Sequence, residues 1–200
     1  MPGKLELRRQ LFHILAGFLA IALIWLGVLD AGSLAIMLAA GLLLSLLSLR
    51  YRIPCISWFL DRFDRRESLP GFGALTFVAG LFLLLLLFHD EKVIFASIAI
   101  LAIGDSASVI VGKRLARTAY IRKTRHPFSK VKLLEANLVG ALLGAFAAMP
   151  FVSIASAILG SFSAMFVEGI EISVRGRKID DNITVPIVSA AVISIFQAVI

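Results

Sequence analysis

Residues 104–137 read GDSASVIVGKRLARTAYIRKTRHPFSKVKLLEAN, and the predicted fold depends on this stretch. It begins inside an apolar run and includes Asp105, whose carboxylate hydrocarbon cannot solvate, so we expect this side chain to face a polar cavity or a site. The loop that follows holds eight of the 20 Lys and Arg residues, and apolar sequence resumes after Glu135 and Asn137. The stretch therefore predicts two membrane helices joined by a basic loop that binds a polyanion.

The composition of the chain is typical of an integral membrane protein. Apolar residues make up 60% and charged residues 16% of the 200 residues, and the mean hydropathy is +0.96, beyond the range of ordinary soluble domains. The single cysteine, Cys55, excludes an intrachain disulfide and a multi-cysteine metal site. The net charge of +7 is attributed to membrane topology, because no soluble module interleaves basic and aromatic residues as nucleic-acid-binding proteins do.

Seven apolar runs predict an all-α polytopic helix bundle, built as one domain over residues 1–200. The first run is about 19 residues long, enough to span roughly 30 Å of hydrocarbon, and no convincing small-residue cleavage site follows it. We therefore interpret it as a helix and not as a signal peptide. The runs are residues 11–29, 33–49, 72–88, 93–111, 138–148 (with a start as early as 133), 154–167 and 183–200.

The segment between the second and third runs, RYRIPCISWFLDRFDRRESLPG, is too polar to span a membrane. Its apolar residues Ile56, Phe59, Leu60 and Phe63 fall at helical spacing on one face, which predicts an amphipathic helix in the plane of the interface. Two roles remain open for it: an anchor near anionic lipid, or a ledge beside an entrance for lipid.

The basic residues predict the orientation of the seven helices. Nineteen of the 20 Lys and Arg residues fall on the N-terminus and on the second, fourth and sixth loops, and Lys92 is the exception. Since cytoplasmic loops carry the positive excess, the N-terminus is expected in the cytoplasm and the C-terminus outside.

Carboxylates stand where several apolar runs end on that cytoplasmic side. Glu168 ends the sixth run, and Asp180, Asp181 and Asn182 directly precede the seventh. Carboxylate and amide oxygens are ligands that Mg²⁺ accepts, although one of these last three residues is expected to be a helix N-cap. We expect His13, which shares a helical face with Arg9, to converge with Asp105, Glu135, Glu168 and Asp181 at one membrane depth.

The basic residues near Asp105 are candidates for phosphate binding. Lys113 is followed by Arg114 and not by Ser or Thr, so the segment is no Walker A loop. Phosphate binding would rest on point charges and on the N-terminus of the fifth helix, at which Glu135 and Asn137 stand. Positive-inside topology alone also places basic residues here, and Glu135 also suits a plain helix start. The candidate cations are Lys113, Arg114, Lys130 and Lys132.

Small residues repeat along the fifth helix. Ala136, Gly140, Gly144 and Ala148 lie four residues apart and predict close packing of another helix within the bundle.

Together these segments resemble the CTP-dependent lipid kinases, which include dolichol kinase, phytol kinase and the yeast-type diacylglycerol kinase. The matching segments are ELRRQLFHILAG, GDSASVIVGKR, KLLEANL, Glu168 and DDNITVP, which together span nearly the whole chain. The resemblance implies CTP as phosphoryl donor, a divalent cation such as Mg²⁺, and a long-chain isoprenoid alcohol or diacylglycerol as acceptor.

The resemblance also implies a role for each candidate residue. Asp105, Asp181 and Asn182 would hold the cation, and Glu168 would accept the proton of the alcohol, with Asp105 able to exchange roles with it. Glu135 and Asn137 would order the nucleotide. Lys113, Arg114, Lys130 and Lys132 would contact the triphosphate, and Arg9, His13 and Asp180 would lie nearby.

Two other functions fit parts of the pattern. A CDP-lipid synthase would use the same CTP, cation and membrane geometry, but its Lys-Asp and Gly-Gly-rich signature followed by Asp-Arg is absent from the sequence. A transporter could use Asp105 and Glu168 to bind ions, but the inverted repeats typical of that class are not evident.

Overall fold

The computed structural model describes residues 4–63, 69–115, 134–170, 173–174 and 177–200. This part of the chain is helical apart from a two-stranded antiparallel hairpin, in which Ser173 pairs with Lys178 and Val174 with Arg177. The elements are α1 (Lys4–Trp25), α2 (Ala31–Arg50), α3 (Pro54–Phe63), α4 (Phe72–Leu87), α5 (Glu91–Ala99), a π-helical turn (Ile100–Asp105), α6 (Ser106–Leu115), α7 (Leu134–Ala148), α8 (Ile154–Ile170), β1 (Ser173–Val174), β2 (Arg177–Lys178) and α9 (Asp181–Val199).

The predicted all-α class is confirmed, and each apolar run of the sequence corresponds to a helix. Helix α5, the π turn and α6 form one continuous helix over Glu91–Leu115, as the fourth run predicts, and the segment predicted to hold an amphipathic helix contains α3. Four helices in the described ranges are long and apolar enough to cross a membrane. They are Leu5–Trp25 within α1, Ala31–Arg50, Glu91–Leu115 and Asp181–Val199.

The other three apolar helices are shorter than a usual span. Helices α4, α7 and α8 have 16, 15 and 17 residues, whereas about 20 residues cross a typical hydrocarbon core. The structure thus gives four candidate spans where the sequence predicts seven.

Carboxylates fix the starts of several helices. The Asp30 carboxylate accepts the Ser33 N–H at 2.7 Å, and this bond holds the pKa of Asp30 below its usual value. Asp180 caps α9 in the same way by accepting the Asn182 N–H at 3.0 Å. The prediction that one of residues 180–182 is an N-cap is therefore confirmed, and that residue is Asp180.

The helix Glu91–Leu115 forms the centre of the bundle. Ile98, Ile100 and Leu101 are fully buried in it, and the π turn packs against α1, α7 and α9. Apolar side chains elsewhere are highly exposed, including Leu15, Trp25 and Ile36, at 68%, 72% and 73%. Such exposure on α1 and α2 is compatible with helices that contact hydrocarbon.

The small residues of α7 pack within the bundle, as the sequence predicts. A Cβ atom added to Gly140 would lie 2.7 Å from the Gly104 carbonyl oxygen, and one added to Gly144 would lie 2.6 Å from Ser161 Oγ. Helix α7 therefore approaches the π turn and α8 as closely as backbone atoms permit.

Helices α1 and α4 pack on different partners. Helix α1 packs on α3, α5, the π turn and α6, whereas α4 packs mainly on α2 and α9. A cavity lies between these two groups of helices.

Candidate functional site

Three carboxylates from three different helical segments meet at one point. Asp105 ends the π turn, Glu168 stands near the end of α8, and Asp181 is the first residue of α9. One carboxylate oxygen of each lies within 4.8 Å of the others. Glu168 is almost fully buried, at 2% exposure, and the other two are half-buried. The predicted convergence of these three residues is present in the structure.

The donor set and its spacing fit a hard divalent cation. Oxygens that share such a cation at roughly 2.1 to 2.5 Å per bond lie up to roughly 4 to 5 Å apart, which matches the observed spacing. Three ionised carboxylates at this distance repel one another, so a bound cation or protons would stabilise the arrangement. The cluster groups Glu168, predicted as a proton acceptor, with two of the predicted cation ligands.

The π turn determines where Asp105 lies. A π-helical turn widens the helix locally, and such turns are frequent at functional sites. It runs from Ile100 to Asp105, and its Gly104 packs directly on Gly140 of α7. The carboxylate is thus held by close backbone contact between two helices and not by a loop.

His13 lies beside Asp105 on the facing side of α1. Its Nε2 atom is 4.0 Å from Asp105 Oδ2, and its ring meets the edge of Phe77 with centroids 5.4 Å apart at 72°. The side chains of His13 and Asp105 are each 15% exposed. His13 therefore connects α1 to both the carboxylate cluster and α4.

Glu6 organises the basic residues that the structure describes on this side. Its carboxylate accepts hydrogen bonds from Lys113, from Arg9 Nη1 at 3.3 Å and from Gln10 at 2.8 Å, and its Oε1 atom forms an ion pair with Arg9 Nη2 at 2.8 Å. Glu6 was not among the site residues predicted from the sequence. The i, i+3 and i, i+4 spacings to Arg9 and Gln10 were a signal for part of this cluster, but the contact with Lys113 joins residues 107 positions apart.

Two of the four cations predicted to contact the triphosphate, Lys113 and Arg114, lie within the described residues. Arg114 is exposed at the end of α6, next to Lys113. Lys130 and Lys132 lie outside the described residues. The structure therefore places two of the four predicted cations, both at the same end of the central helix.

Two predicted amide groups take part in helix packing. Asn137 is buried and donates from Nδ2 to the Met165 carbonyl at 3.0 Å, which joins α7 to α8. Asn182 donates from Nδ2 to the Gly73 carbonyl at 3.2 Å and to Thr76 Oγ1 at 3.1 Å, which joins α9 to α4. Their amide nitrogens thus hold the frame of the site. Glu135 is half-buried in the first turn of α7.

An apolar cavity of about 550 Å³ opens beside the carboxylates. Arg9, Gln10, His13, Asp105 and residues 180–182 form its polar end, and side chains from α1, α2, α3 and α4 form the apolar remainder. Leu60 and Phe63 of α3 are among them, and Phe63 packs on Phe12 of α1 with ring centroids 5.0 Å apart. The site can thus hold an amphiphilic molecule with its polar end at the carboxylates.

Comparison with known proteins gives a relative but no function. The chain is similar to an uncharacterized protein of Methanocaldococcus jannaschii, with 29% identity over 191 residues that cover 94% of this chain and 93% of that protein. No known family model matches the chain, and no solved structure matches it. The similarity covers nearly the full length of both chains.

Proposed function

We propose that the protein is a lipid kinase that transfers the γ-phosphoryl group of CTP to a membrane lipid alcohol. The observation that carries this proposal is the carboxylate cluster of Asp105, Glu168 and Asp181, two of whose members, Asp105 and Asp181, line the polar end of an apolar cavity. Phosphoryl transfer needs little covalent chemistry from a protein; it needs positioning and neutralisation of phosphate charge. A cation-binding carboxylate cluster next to a lipid-sized cavity supplies both requirements. The choice of CTP rests on the sequence resemblance.

The carboxylates divide into two roles in this proposal. All three belong to the cation site, and a bound Mg²⁺ would neutralise the charge on the β- and γ-phosphates. Asp105 and Asp181 also line the cavity, whereas Glu168 lies behind them against Ser108, whose hydroxyl is 3.5 Å from Glu168 Oε1. Asp105 is therefore better placed than Glu168 to take the proton of the alcohol. The alcohol oxygen then bonds to the γ-phosphorus as the bond to the β-phosphate oxygen breaks, and CDP leaves.

The basic residues would bind the triphosphate. Lys113 and Arg114 stand at the end of the central helix nearest Asp105, and Lys130 and Lys132 follow in the chain. Glu6 would act as the resting partner of Lys113, since it holds that ammonium group when no phosphate is bound. Glu135 would contribute at the start of α7.

The chain is proposed to cross the membrane seven times, with the carboxylate cluster on the cytoplasmic side. The support is the distribution of Lys and Arg, of which 19 of 20 fall on one side of such a topology. Helices α4, α7 and α8 would complete the bundle as short spans, with α3 in the interface.

Cysteine labelling tests this orientation with two positions on one helix. On a Cys55→Ser background, Glu91→Cys and Arg114→Cys place thiols at the two ends of the helix Glu91–Leu115, where both native side chains are exposed. We expect an impermeant maleimide added outside intact cells to label position 91 and to label position 114 only after lysis. Labelling of position 114 from outside would contradict the proposed orientation.

Transfer from labelled CTP tests the reaction itself. Purified protein incubated with mixed lipid alcohols and Mg²⁺ is expected to move label from γ-labelled CTP, and none from α-labelled CTP, into the lipid fraction. Incorporation of the α label with added lipid phosphates would identify a CDP-lipid synthase instead. If neither label enters the lipid fraction, both reactions are excluded for the lipids supplied.

A further inference from the structure

The His13 imidazole has a buried polar atom without a partner. Among the residues that the structure describes, Nε2 makes no hydrogen bond, and its distance of 4.0 Å from Asp105 Oδ2 is too long for one. Buried polar atoms are nearly always satisfied, so each exception calls for an explanation. The ring lines the cavity, where a ligand could supply the missing partner.

One oxygen atom placed beside His13 and Asp105 could contact both side chains. An oxygen about 2.8 Å from both Nε2 and Oδ2 would bridge their separation of 4.0 Å with an angle of roughly 90° at the oxygen. A hydroxyl group can donate one hydrogen bond and accept others. It would therefore donate to the Asp105 carboxylate and accept from the Nε2–H of His13.

The charges at this end of the cavity favour a neutral head group. Among the residues that the structure describes, the charged side chains that line the cavity are Asp105, Asp180, Asp181 and Arg9. Three carboxylates against one guanidinium repel an anionic head group such as a carboxylate or a phosphate. A hydroxyl group avoids this repulsion.

The apolar part of the cavity continues from His13 along α1. Ala16, Ala20 and Leu23 follow His13 at helical spacing and line the cavity, which gives an apolar wall of about 15 Å from His13 to Leu23 at the rise of an α-helix. Leu34 and Met37 of α2 line it from the other side. This is the surface that a hydrocarbon chain attached to the hydroxyl would contact.

We infer that His13 is the residue that binds the hydroxyl group of the lipid alcohol, with Asp105 as the second partner and the chain in the cavity between α1, α2 and α4. The inference rests on the proposed function for the class of ligand. It adds a binding residue on α1, outside the carboxylate cluster. This residue fixes the position of the head group at the end of the cavity that favours an uncharged one.

Binding without nucleotide or divalent cation tests this role. Tritiated geranylgeraniol is first bound to the protein in detergent. Its displacement is then measured with three unlabelled competitors: geranylgeraniol, the corresponding hydrocarbon and geranylgeranyl monophosphate. The wild-type protein is expected to bind the alcohol roughly tenfold more tightly than the hydrocarbon. This is the effect expected when the hydroxyl group forms one hydrogen bond to the Asp105 carboxylate and one to His13. The monophosphate is expected to bind more weakly than the alcohol.

His13→Phe is the main variant, because it keeps an aromatic ring against Phe77 but has no nitrogen atom to form a hydrogen bond. It is expected to lower the preference for alcohol over hydrocarbon by about fivefold, and His13→Gln, which restores a donor, should recover part of it. His89→Ala is the matched control, since His89 is exposed, and should leave the preference unchanged. A wild-type preference that persists in His13→Phe, or tighter binding of the monophosphate, would overturn the inference.

The outcome also separates this inference from the proposed function. If the wild-type protein transfers the γ label but His13→Phe keeps the wild-type preference, the kinase assignment stands and the role of His13 is wrong. If the preference depends on His13 but no label is transferred, the hydroxyl site stands and the kinase assignment is wrong.

Discussion

Replacing Asp105 with asparagine is expected to lower CTP-dependent turnover at least about 100-fold, which corresponds to roughly 3 kcal/mol in the activation barrier. Asparagine keeps the shape of the side chain but loses the charge that helps to hold the cation and the group that takes the proton from the alcohol. Since both contributions act mainly on the transferring phosphoryl group, turnover should fall more than lipid affinity.

The same substitution is expected to leave thermal stability unchanged or to raise it. It removes one of three carboxylates that lie within 4.8 Å of one another, and this relieves repulsion in the cation-free protein. Mg²⁺ should raise the melting temperature of the wild-type protein and have a smaller effect on the variant.

Asp90→Asn is a suitable control for Asp105→Asn. Asp90 caps the other end of the same continuous helix through the Lys92 N–H, and asparagine is an equally good N-cap. This control should keep both activity and stability. Wild-type turnover in Asp105→Asn would assign that residue a structural role, and the proposed reaction site would then have to be abandoned.

Gly80→Ala is expected to have the largest effect on stability. A Cβ atom at this position would lie 2.1 Å from the Asn182 carbonyl oxygen and 3.0 Å from its carbon. These are backbone atoms, so α9 must move away from α4, and overpacking of this kind costs about 1 to 3 kcal/mol. The movement would also break the bonds that Asn182 makes to Gly73 and Thr76.

Activity should fall together with stability in Gly80→Ala, because Asp181 is the neighbour of Asn182 and would move with it. Gly73→Ala is the matched control on the same helix, since among the described residues no atom from outside its own helix backbone and chain neighbours lies within 4 Å of a Cβ atom there. Replacing that helical glycine should leave stability unchanged or raise it by up to about 1 kcal/mol. Thermal unfolding and turnover of the two variants are compared. Wild-type stability in Gly80→Ala would show that the two helices are farther apart than the structure places them.

The helices were predictable from the sequence because burial in hydrocarbon leaves a strong local signal. Each apolar run corresponds to a helix within a few residues, apart from the first, which begins seven residues earlier, at Lys4 and not at residue 11. The meeting of Asp105, Glu168 and Asp181 was predictable for a related reason. Charged groups avoid hydrocarbon, so those within apolar runs tend to gather at one depth and at one site.

Side-chain partners were not predictable, because they depend on which helix faces each residue. Asn137 and Asn182 stand among the predicted site residues, and the sequence does not show that their amides join α7 to α8 and α9 to α4. The partnership of Glu6 with Lys113 depends on the packing of α1 beside α6. The neighbours of a side chain on its own helix can be read from spacing, but its neighbours on another helix cannot.

The π turn also limits how the central helix can change in length. It accommodates about one residue more than the α-helical turn it replaces, so the segments on its two sides keep nearly the same relative rotation with or without that residue. Removing one residue between Ile100 and Asp105 should therefore restore α-helical geometry and leave Asp105 in the carboxylate cluster and Lys113 beside Glu6. An inserted residue has no second wide turn to absorb it and would rotate all that follows by about 100°. In this segment an insertion should therefore be as damaging as the loss of Asp105 itself, whereas a deletion should be tolerated.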